Sequence, residues 1–534
     1  MASSPKTCPY CGRRKRPASP FGRREEELQH IYRELRRLDQ LSAEIIEHIR
    51  DDQAVLHRRL RAIRPQDPCL PPRVLSQVLH SAFPSRPFRK LYEFPDLHPT
   101  SGLIAAEENT QDSEVQDPIG EDTRFPLVMR SVSFAFRRIT LETPRFWTNI
   151  GLKMTPSSAR PSALLLGLFL DYSKDLPLSI AIYYSFQIRN NYGYLVHITV
   201  DGRLIEAFQR IKRLHLIHPP QIWQKHLPDL SRLEECTLNL TRPGFLGTCE
   251  QVEISNGSIH QLSLHGALQQ YDARLQLPWF SLTSLKLSQT SLEIVVEALF
   301  RCRSSLLEFY CRSPVLRRRK ASIGKLELDH LEIFDWENSP EGVCSWALLK
   351  VLRVPLLKEL RWRVAANYRP RTTQDITIFN RLPSSLVKLE VDFQTYQCDV
   401  RNGIDTSIER LSIHSCNTTD VKVLLQDLTF RRNQGLAKKM PALEQLTIMG
   451  GIVYDLEGRD EYCERLDESY ADAVLDMVEG RWDPVGGSFT FELESARIKW
   501  PSRVKARLRE MRVRGFGLII RQHEREVSWM KNMT

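Results

Sequence analysis

Ten short segments of one form, L-x-x-L-x-L, recur through the 534-residue chain and most narrow what it can fold into. They read IKRLHLI from Ile211, LEECTLNL from Leu233, IHQLSLHG from Ile259, LTSLKLSQ from Leu282, LLEFYCRS from Leu306 and LEIFDW from Leu331. LLKVLRV from Leu348, SLVKLEVDF from Ser385, IERLSIHSCN from Ile408 and LEQLTIMG from Leu443 complete the set. Leu214, Leu238, Leu264, Leu287, Phe309, Ile333 and Val354 read as equivalent positions, spaced by roughly 21 to 26 residues. Apolar residues at every second position give a strand one core-facing side. A unit this short cannot bury that side alone, so neighbours must stack on one another. Between the strands, Ser162–Leu170, Ser291–Cys302 and Thr419–Leu428 read as helices, the last two opening on a Ser or Thr suited to an N-cap.

A period of this length resembles that of leucine-rich repeats, with Ser412–Asn417 (SIHSCN) the clearest copy. The resemblance implies that a Cys or Asn after the strand satisfies loop backbone groups. The spacing is irregular, with a longer gap before Leu446, and insertions such as Ala365–Thr373 are expected to bulge from one face.

Two helical segments precede the repeats. Leu70–Leu79 reads LPPRVLSQVL, with prolines suited to a first helical turn. Val132–Trp147 reads VSFAFRRITLETPRFW, with Val132, Phe136 and Ile139 on one helical stripe and Pro144 punctuating its end. Together they resemble the F-box: Leu70, Pro71, Val74, Leu75, Val78 and Leu79 match its opening, and Val132, Arg137, Ile139, Pro144 and Trp147 its close. Arg73 stands where an acidic residue is usual, and Phe136 takes the place of the usual Trp while still filling an aromatic slot. With its flanks the chain looks like the F-box-like proteins abundant in mushroom-forming fungi, which carry a coiled coil before the box, an insert inside it and leucine-rich repeats after it.

The flanks fit that order. Residues 1–23 read as a disordered N-terminus, rich in Ser, Pro and Arg. Residues 24–64 read as a coiled-coil helix, with a heptad seam through Leu28, Ile31, Leu35, Leu38, Ile45, Ile49, Leu56 and Ile63 that either dimerises the chain or folds back on the F-box helices. Residues 68–150 read as the F-box-like domain, with an acidic loop insert at 84–123 whose second part, Ser101–Thr123, holds Glu107, Glu108, Asp112, Glu114, Asp117, Glu121 and Asp122 and no Lys or Arg. Residues 160–500 read as the repeat array, and 501–534 as a basic C-terminal helix or cap.

Bulk properties exclude several classes. The longest uninterrupted apolar run, Ala163–Leu170, is too short to cross a bilayer, and the basic N-terminus lacks the apolar stretch of a secretory signal. Eleven scattered cysteines fit reduced thiols in cytosol or nucleus. Cys8-Pro-Tyr-Cys11 offers half a zinc site, but no second pair follows, so no metal is expected. Gly12–Arg16 is a short basic run of a kind that recurs by chance, with nuclear import as the alternative reading. The net charge of +10 is spread over 75 basic and 65 acidic residues. The basic clusters Arg317–Lys320 and Arg503–Arg514 lack interleaved aromatics, which disfavours nucleic acid as a partner. No phosphate-binding, nucleophile-elbow or zincin motif occurs, so neither catalytic residues nor a cofactor are expected.

The expected fold is α/β: an N-terminal helical coiled coil and helical F-box, then a curved leucine-rich-repeat-like solenoid of parallel strands and helices. The resemblance implies the substrate-recognition subunit of a Skp–cullin–F-box ubiquitin ligase, cytoplasmic or nuclear, binding the Skp-type adaptor, through it cullin, and an unidentified target. The module residues are Leu70, Pro71, Val74, Leu75, Val78, Leu79, Val132, Phe136, Ile139, Pro144 and Trp147. Arg213, His215, Thr237, Asn239, Lys286 and Ser288 are expected as exposed strand positions lining the target surface. The alternative is a ligase-independent interaction scaffold dimerised through the coiled coil.

Overall fold

The computed structural model describes residues 51, 54–55, 71–83, 120–154, 159–184, 202–220, 222–240, 251–254, 257–266, 274–315, 324–338, 348, 351–363, 382–392, 407–416, 418–429, 440, 442–450, 468–481, 489–494, 500–522 and 525–526. The chain divides into two compact units, Met1–His80 and Ser81–Thr534. Leu70, the Cys8–Cys11 pair, Ala365–Thr373, Arg317–Lys320 and the insert over 84–119 lie outside the described residues. So does the coiled-coil segment apart from Asp51, Ala54 and Val55, which are helical and exposed.

Helix α1 (Pro72–Ala82), most of it in the first unit, starts on a proline, whose missing N–H costs nothing in a first turn. Its apolar residues divide: Leu75 and Leu79 are buried, while Val74 and Val78 are 40% and 50% exposed.

The second unit is built on one fifteen-stranded sheet. Its strands are β1 (Asn149–Met154), β2 (Leu178–Tyr184), β3 (Ile211–Ile217), β4 (Glu235–Asn239) and β5 (Gln261–His265). Then follow β6 (Ser284–Ser288), β7 (Glu308–Arg312), β8 (Ile333–Glu337), β9 (Glu359–Arg363) and β10 (Lys388–Asp392). β11 (Arg410–Cys416), β12 (Gln445–Gly450), β13 (Thr490–Glu494), β14 (Gly517–Gln522) and β15 (Arg525–Glu526) complete it. Strands β1 to β14 run parallel in chain order, and only β15 turns back, antiparallel to β14. Each parallel step needs a crossover, and helices supply several: α4 (Ala159–Ser173), α5 (Leu292–Arg301), α6 (Thr418–Leu428), α7 (Glu468–Arg481) and α8 (Ser502–Val513). Ser291 caps α5 by accepting the Ile294 N–H. On α8, Val504, Leu508 and Met511 face inward, while Arg503 and Arg507 pair with Asp472 and Glu479 of α7 at 2.7 and 2.6 Å.

Two aligned rows of apolar side chains form the core. One runs through Leu214, Cys236, Leu262, Leu285, Phe309, Phe334 and Leu360; the other through Leu216, Leu238, Leu264, Leu287, Cys311, Trp336 and Trp362. In the middle Trp336 and Trp362 stack at 5.7 Å, with Phe334 parallel to both. Burying each such ring contributes on the order of 3 kcal/mol.

This register corrects the expected equivalences. Leu238, Leu264 and Leu287 align with Leu216, whereas Leu214 and Phe309 belong to the other row. Ile333 pairs with Glu308 and Glu359, and its neighbour Phe334 enters the core instead. Val354 lies outside the sheet: the preceding Leu352–Arg353 pairs with Leu326–Glu327 in a separate two-stranded ribbon. The unit's strand in the main sheet is β9, where Trp362 stands in place of a second leucine. The sheet also overruns the expected 160–500 at both ends, through β1 and through β14 and β15.

Two polar devices repeat with the strands. Three residues before β5, β6, β10 and β11 sit Ser258, Ser281, Ser385 and Ser407, each donating its hydroxyl to a carbonyl of the preceding unit: Leu233, Ile259, Leu357 and Leu386. One residue past β3, β5, β6 and β7, the backbone turns left-handed at His218, Gly266, Gln289 and Ser313, with φ of 54°, 65°, 53° and 47°. These turns carry the ladder one step beyond the strands, as Gln289 N–H to Arg312 O at 2.9 Å. A non-glycine residue held there costs on the order of 1 kcal/mol, compensated by that hydrogen bond.

The leading end of the sheet is covered by α2 (Gly120–Val132), α3 (Phe134–Glu142) and a 3-10 turn, Pro144–Trp147. Here too the expectation needs correction, because Val132, Phe136 and Ile139 do not share one helix. Ser133 interrupts the run: its backbone is extended and its side chain accepts the Phe136 N–H, so a new helix starts after it. Val132 therefore ends α2 and is 56% exposed. Residues 120–123, expected as the end of an acidic loop, are the first turn of α2, and Thr123 is buried with its hydroxyl accepting the Gly151 N–H at 2.6 Å. That bond occupies a donor on the sheet's edge strand, which would otherwise invite another strand.

Candidate functional site

Strand alternation that buries the leucines sends the intervening residues to the other face of the sheet. Across β3 to β10 the middle row of that face reads His215, Thr237, Ser263, Lys286, Tyr310, Asp335, Arg361 and Glu390. Arg213, Glu235, Ser284, Glu308, Glu359 and Lys388 belong to the row on one side, and Asn239, His265, Ser288, Arg312, Glu337 and Arg363 to the row on the other. The first strands of the face carry small or neutral groups apart from the Arg213–Glu235 pair, and charge concentrates from β6 to β11.

The six expected target-facing residues all fall on this polar face, but none of them is fully exposed. His215, Thr237 and Ser288 are buried, and Arg213, Asn239 and Lys286 are half-buried. Every side chain in a continuous sheet has neighbours on both adjacent strands about 4.8 Å away, and short ones lie beneath the longer ones beside them. Burial, reinforced by Arg213, pushes the His215 imidazole down to about 3. Burial with Arg312 and Lys286 pushes His265 to about 4.

The densest part of the face lay outside the sequence-based expectation. Arg361 sits among three carboxylates: Glu359 at 2.6 Å, Asp335 at 3.5 Å and Glu390 at 3.6 Å. Arg363 lies 3.5 Å from Asp335 and 3.6 Å from both Glu337 and Glu390. Lys388 pairs with Glu359 at 2.7 Å, His414 Nε2 lies 2.9 Å from Glu390, and Arg312 lies 3.7 Å from Glu337. Lys286 lies over the Tyr310 ring at 4.8 Å. Burial raises Asp335 against the pull of Arg363, Arg361 and Arg312. For Glu390 burial also works upward, but His414, Arg363 and Arg361 outweigh it and hold the carboxyl at about 2. Each charge is thus shared among several partners, which fixes side chains that would be mobile as isolated surface pairs.

The F-box-like positions separate into an inner and an outer set. Trp147 is fully buried, donates its indole N–H to Thr140 O at 2.8 Å, and packs on Tyr172 and Phe169 of α4 at 4.8 and 5.1 Å. Phe146 closes a ring cluster with Phe83 and Phe125. Ile139 is buried, Phe136 and Pro144 are half-buried, and Pro71 is exposed. The outer set is Val74, Val78 and Val132 at 56%, and beside Val132 two residues outside the expected set, Val128 at 48% and Phe134 at 74%, are exposed as well.

Among the described residues no His, Cys, Asp and Glu cluster is arranged to hold a metal ion. Nor is any helix among them long and apolar enough to cross a membrane. No family model and no curated protein matches this chain.

Proposed function

We propose that this chain is an F-box-type substrate receptor, in which the helices before the sheet dock on a Skp-type adaptor and the sheet holds a target protein. One observation carries the reading: three large apolar side chains are exposed close together in sequence on the helices just before the sheet. Val128, Val132 and Phe134 lie within seven residues of one another at the junction of α2 and α3, and Val74 and Val78 are exposed on α1. Large apolar groups left in water next to a well-packed core mark a surface that a partner covers. The F-box resemblance supplies the partner, with Leu75 and Leu79 buried in the first unit and Ile139 and Trp147 buried in the second.

The parallel sheet with its regular turns and serine bridges then serves as a leucine-rich-repeat-like solenoid. Such a receptor performs no bond chemistry itself. It works by proximity: a target lysine held near a charged ubiquitin carrier meets it at a far higher effective concentration than in free solution.

The test is co-purification of the chain with adaptor and cullin, repeated with Leu75→Asp and with Val78→Asp, whose exposed position leaves folding intact. Loss of the complex in both variants supports the reading. Unchanged recovery with Val78→Asp in a folded protein, or no complex with the native chain, overturns it.

A further inference from the structure

On the polar face the cations stand taller than the anions they pair with. Side-chain exposure is 31% for Arg361 against 3%, 18% and 14% for Asp335, Glu359 and Glu390. Lys388, at 28%, overlies Glu359, and Arg213, at 35%, overlies Glu235 at 15%. Only Arg312, at 17%, lies lower than its partner Glu337 at 22%. An approaching molecule therefore meets guanidinium and ammonium tips before carboxylates, although the two charges balance in number.

Arg361 and Lys388 pair closely with Glu359, at 2.6 and 2.7 Å, but Arg363 is held more loosely. A charge-assisted bond from arginine to a carboxylate is about 2.7–2.9 Å long. All of the Arg363 contacts with Asp335, Glu337 and Glu390 are 3.5–3.6 Å. Its Nε is buried without a hydrogen-bond partner among the described residues, and Nη2 donates a long bond to Asp335 Oδ1 at 3.5 Å. Three carboxylates hold this guanidinium by long contacts only, which a better-placed acceptor reaching its exposed part would replace.

We propose that the polar face from β6 to β11 docks an extended acidic segment of a target protein, with the exposed tips of Arg361, Arg363 and Lys388 taking its carboxylates. This deepens, and rests on, the reading of the sheet as the target-holding surface. A peptide fits better than a nucleic acid because Tyr310 is the lone aromatic of the face's middle row from β6 to β10 and already lies against Lys286. Stacking platforms, which single-stranded nucleic acids require, are missing there. The carboxylates beneath the tips also penalise densely charged phosphates more than single carboxylates spaced by neutral residues.

The experiment uses the full chain and a fluorescein-labelled peptide of alternating Glu and Ser, with its Gln–Ser counterpart, followed by fluorescence anisotropy. The acidic peptide binds, the neutral one does not, and affinity falls as salt rises. Arg363→Gln weakens binding roughly tenfold or more, the expected loss of a charged hydrogen-bonding fork. Lys388→Gln, at a more exposed tip whose loss leaves the fold intact, weakens it severalfold, and Arg503→Gln on α8 leaves it unchanged. Equal binding of both peptides, or no effect of Arg363→Gln and Lys388→Gln in folded protein, overturns the inference. So does tighter binding of oligouridylate at the same face, which assigns it to nucleic acid. Adaptor co-purification is read separately: adaptor bound without peptide sinks this inference alone, and peptide bound without adaptor sinks only the receptor reading.

Discussion

Acid should loosen this protein through His215, and the size of the effect follows from its burial. The ring is 1% exposed beside Arg213, and its folded-state value is about 3 against an ordinary 6.5. A folded value below the unfolded one means that the unfolded chain binds the proton first, so stability is intact above the unfolded value and is lost as pH falls from 6.5 toward 3. Near the middle of that window one proton separates the two states, which gives about 1.4 kcal/mol per pH unit. Acidifying from about pH 6.5 to about pH 5 therefore removes about 2 kcal/mol through this residue alone. His265, pushed down to about 4, adds in the same direction. The assay is urea unfolding of the native chain and His215→Asn at both pH values, followed by far-UV circular dichroism. The substitution lowers the midpoint at neutral pH through lost packing, but flattens the pH dependence by about 2 kcal/mol. An equal loss on acidification in both proteins refutes the burial argument.

Other consequences are read by similar means. Trp147→Ala removes a fully buried ring and the bond to Thr140, costing about 3–5 kcal/mol; hydrogen exchange should show faster opening of β1 and α4, and Trp147→Phe should recover part of the loss. Ser281→Ala deprives the Ile259 carbonyl of its donor from the next unit and lowers stability by about 1 kcal/mol in chemical denaturation. Gly517→Ala places a methyl 2.7 Å from Thr490 Oγ1, destabilising by about 1–3 kcal/mol, and Thr490→Ala in the same chain relieves most of it.

Strands were the most legible part of the chain because each carries two large apolar residues with a polar one between, a pattern with one physical solution. The strand at Glu359–Arg363 escaped because Leu352 and Val354 formed a more leucine-rich decoy just upstream, while Trp362 hid the true core position. Exact alignment was not legible either. A shift of two positions preserves the buried face, so Leu214 and Leu216 are equally good by pattern and only pairing with β4 separates them. The serines three residues before β5, β6, β7, β10 and β11 were visible as S-[IL]-x-x-[LF] at Ser258, Ser281, Ser305, Ser385 and Ser407, but polar residues before a strand read as ordinary loop. Ser133 shows the same limit in reverse: the stripe through Val132 and Phe136 obscured a cap that splits the helix between them.

The polar face was half readable. Its residues are the alternates of the leucines, which is how Arg213, His215, Thr237, Asn239, Lys286 and Ser288 were found. Which alternates matter depends on neighbours from distant sequence. Asp335, Arg361 and Glu390 become one charged cluster only when three units lie side by side.

The most direct test of the receptor reading is titration of purified Skp-type adaptor into the full chain by calorimetry, with Val132→Asp and Phe134→Asp alongside. Both positions lie in water in the free protein, so neither change disturbs the fold. The account predicts a one-to-one complex, weakened roughly thirtyfold or more by Phe134→Asp, the loss expected of a central interface anchor. No heat of binding with the native chain, or equal affinity in both variants, contradicts it.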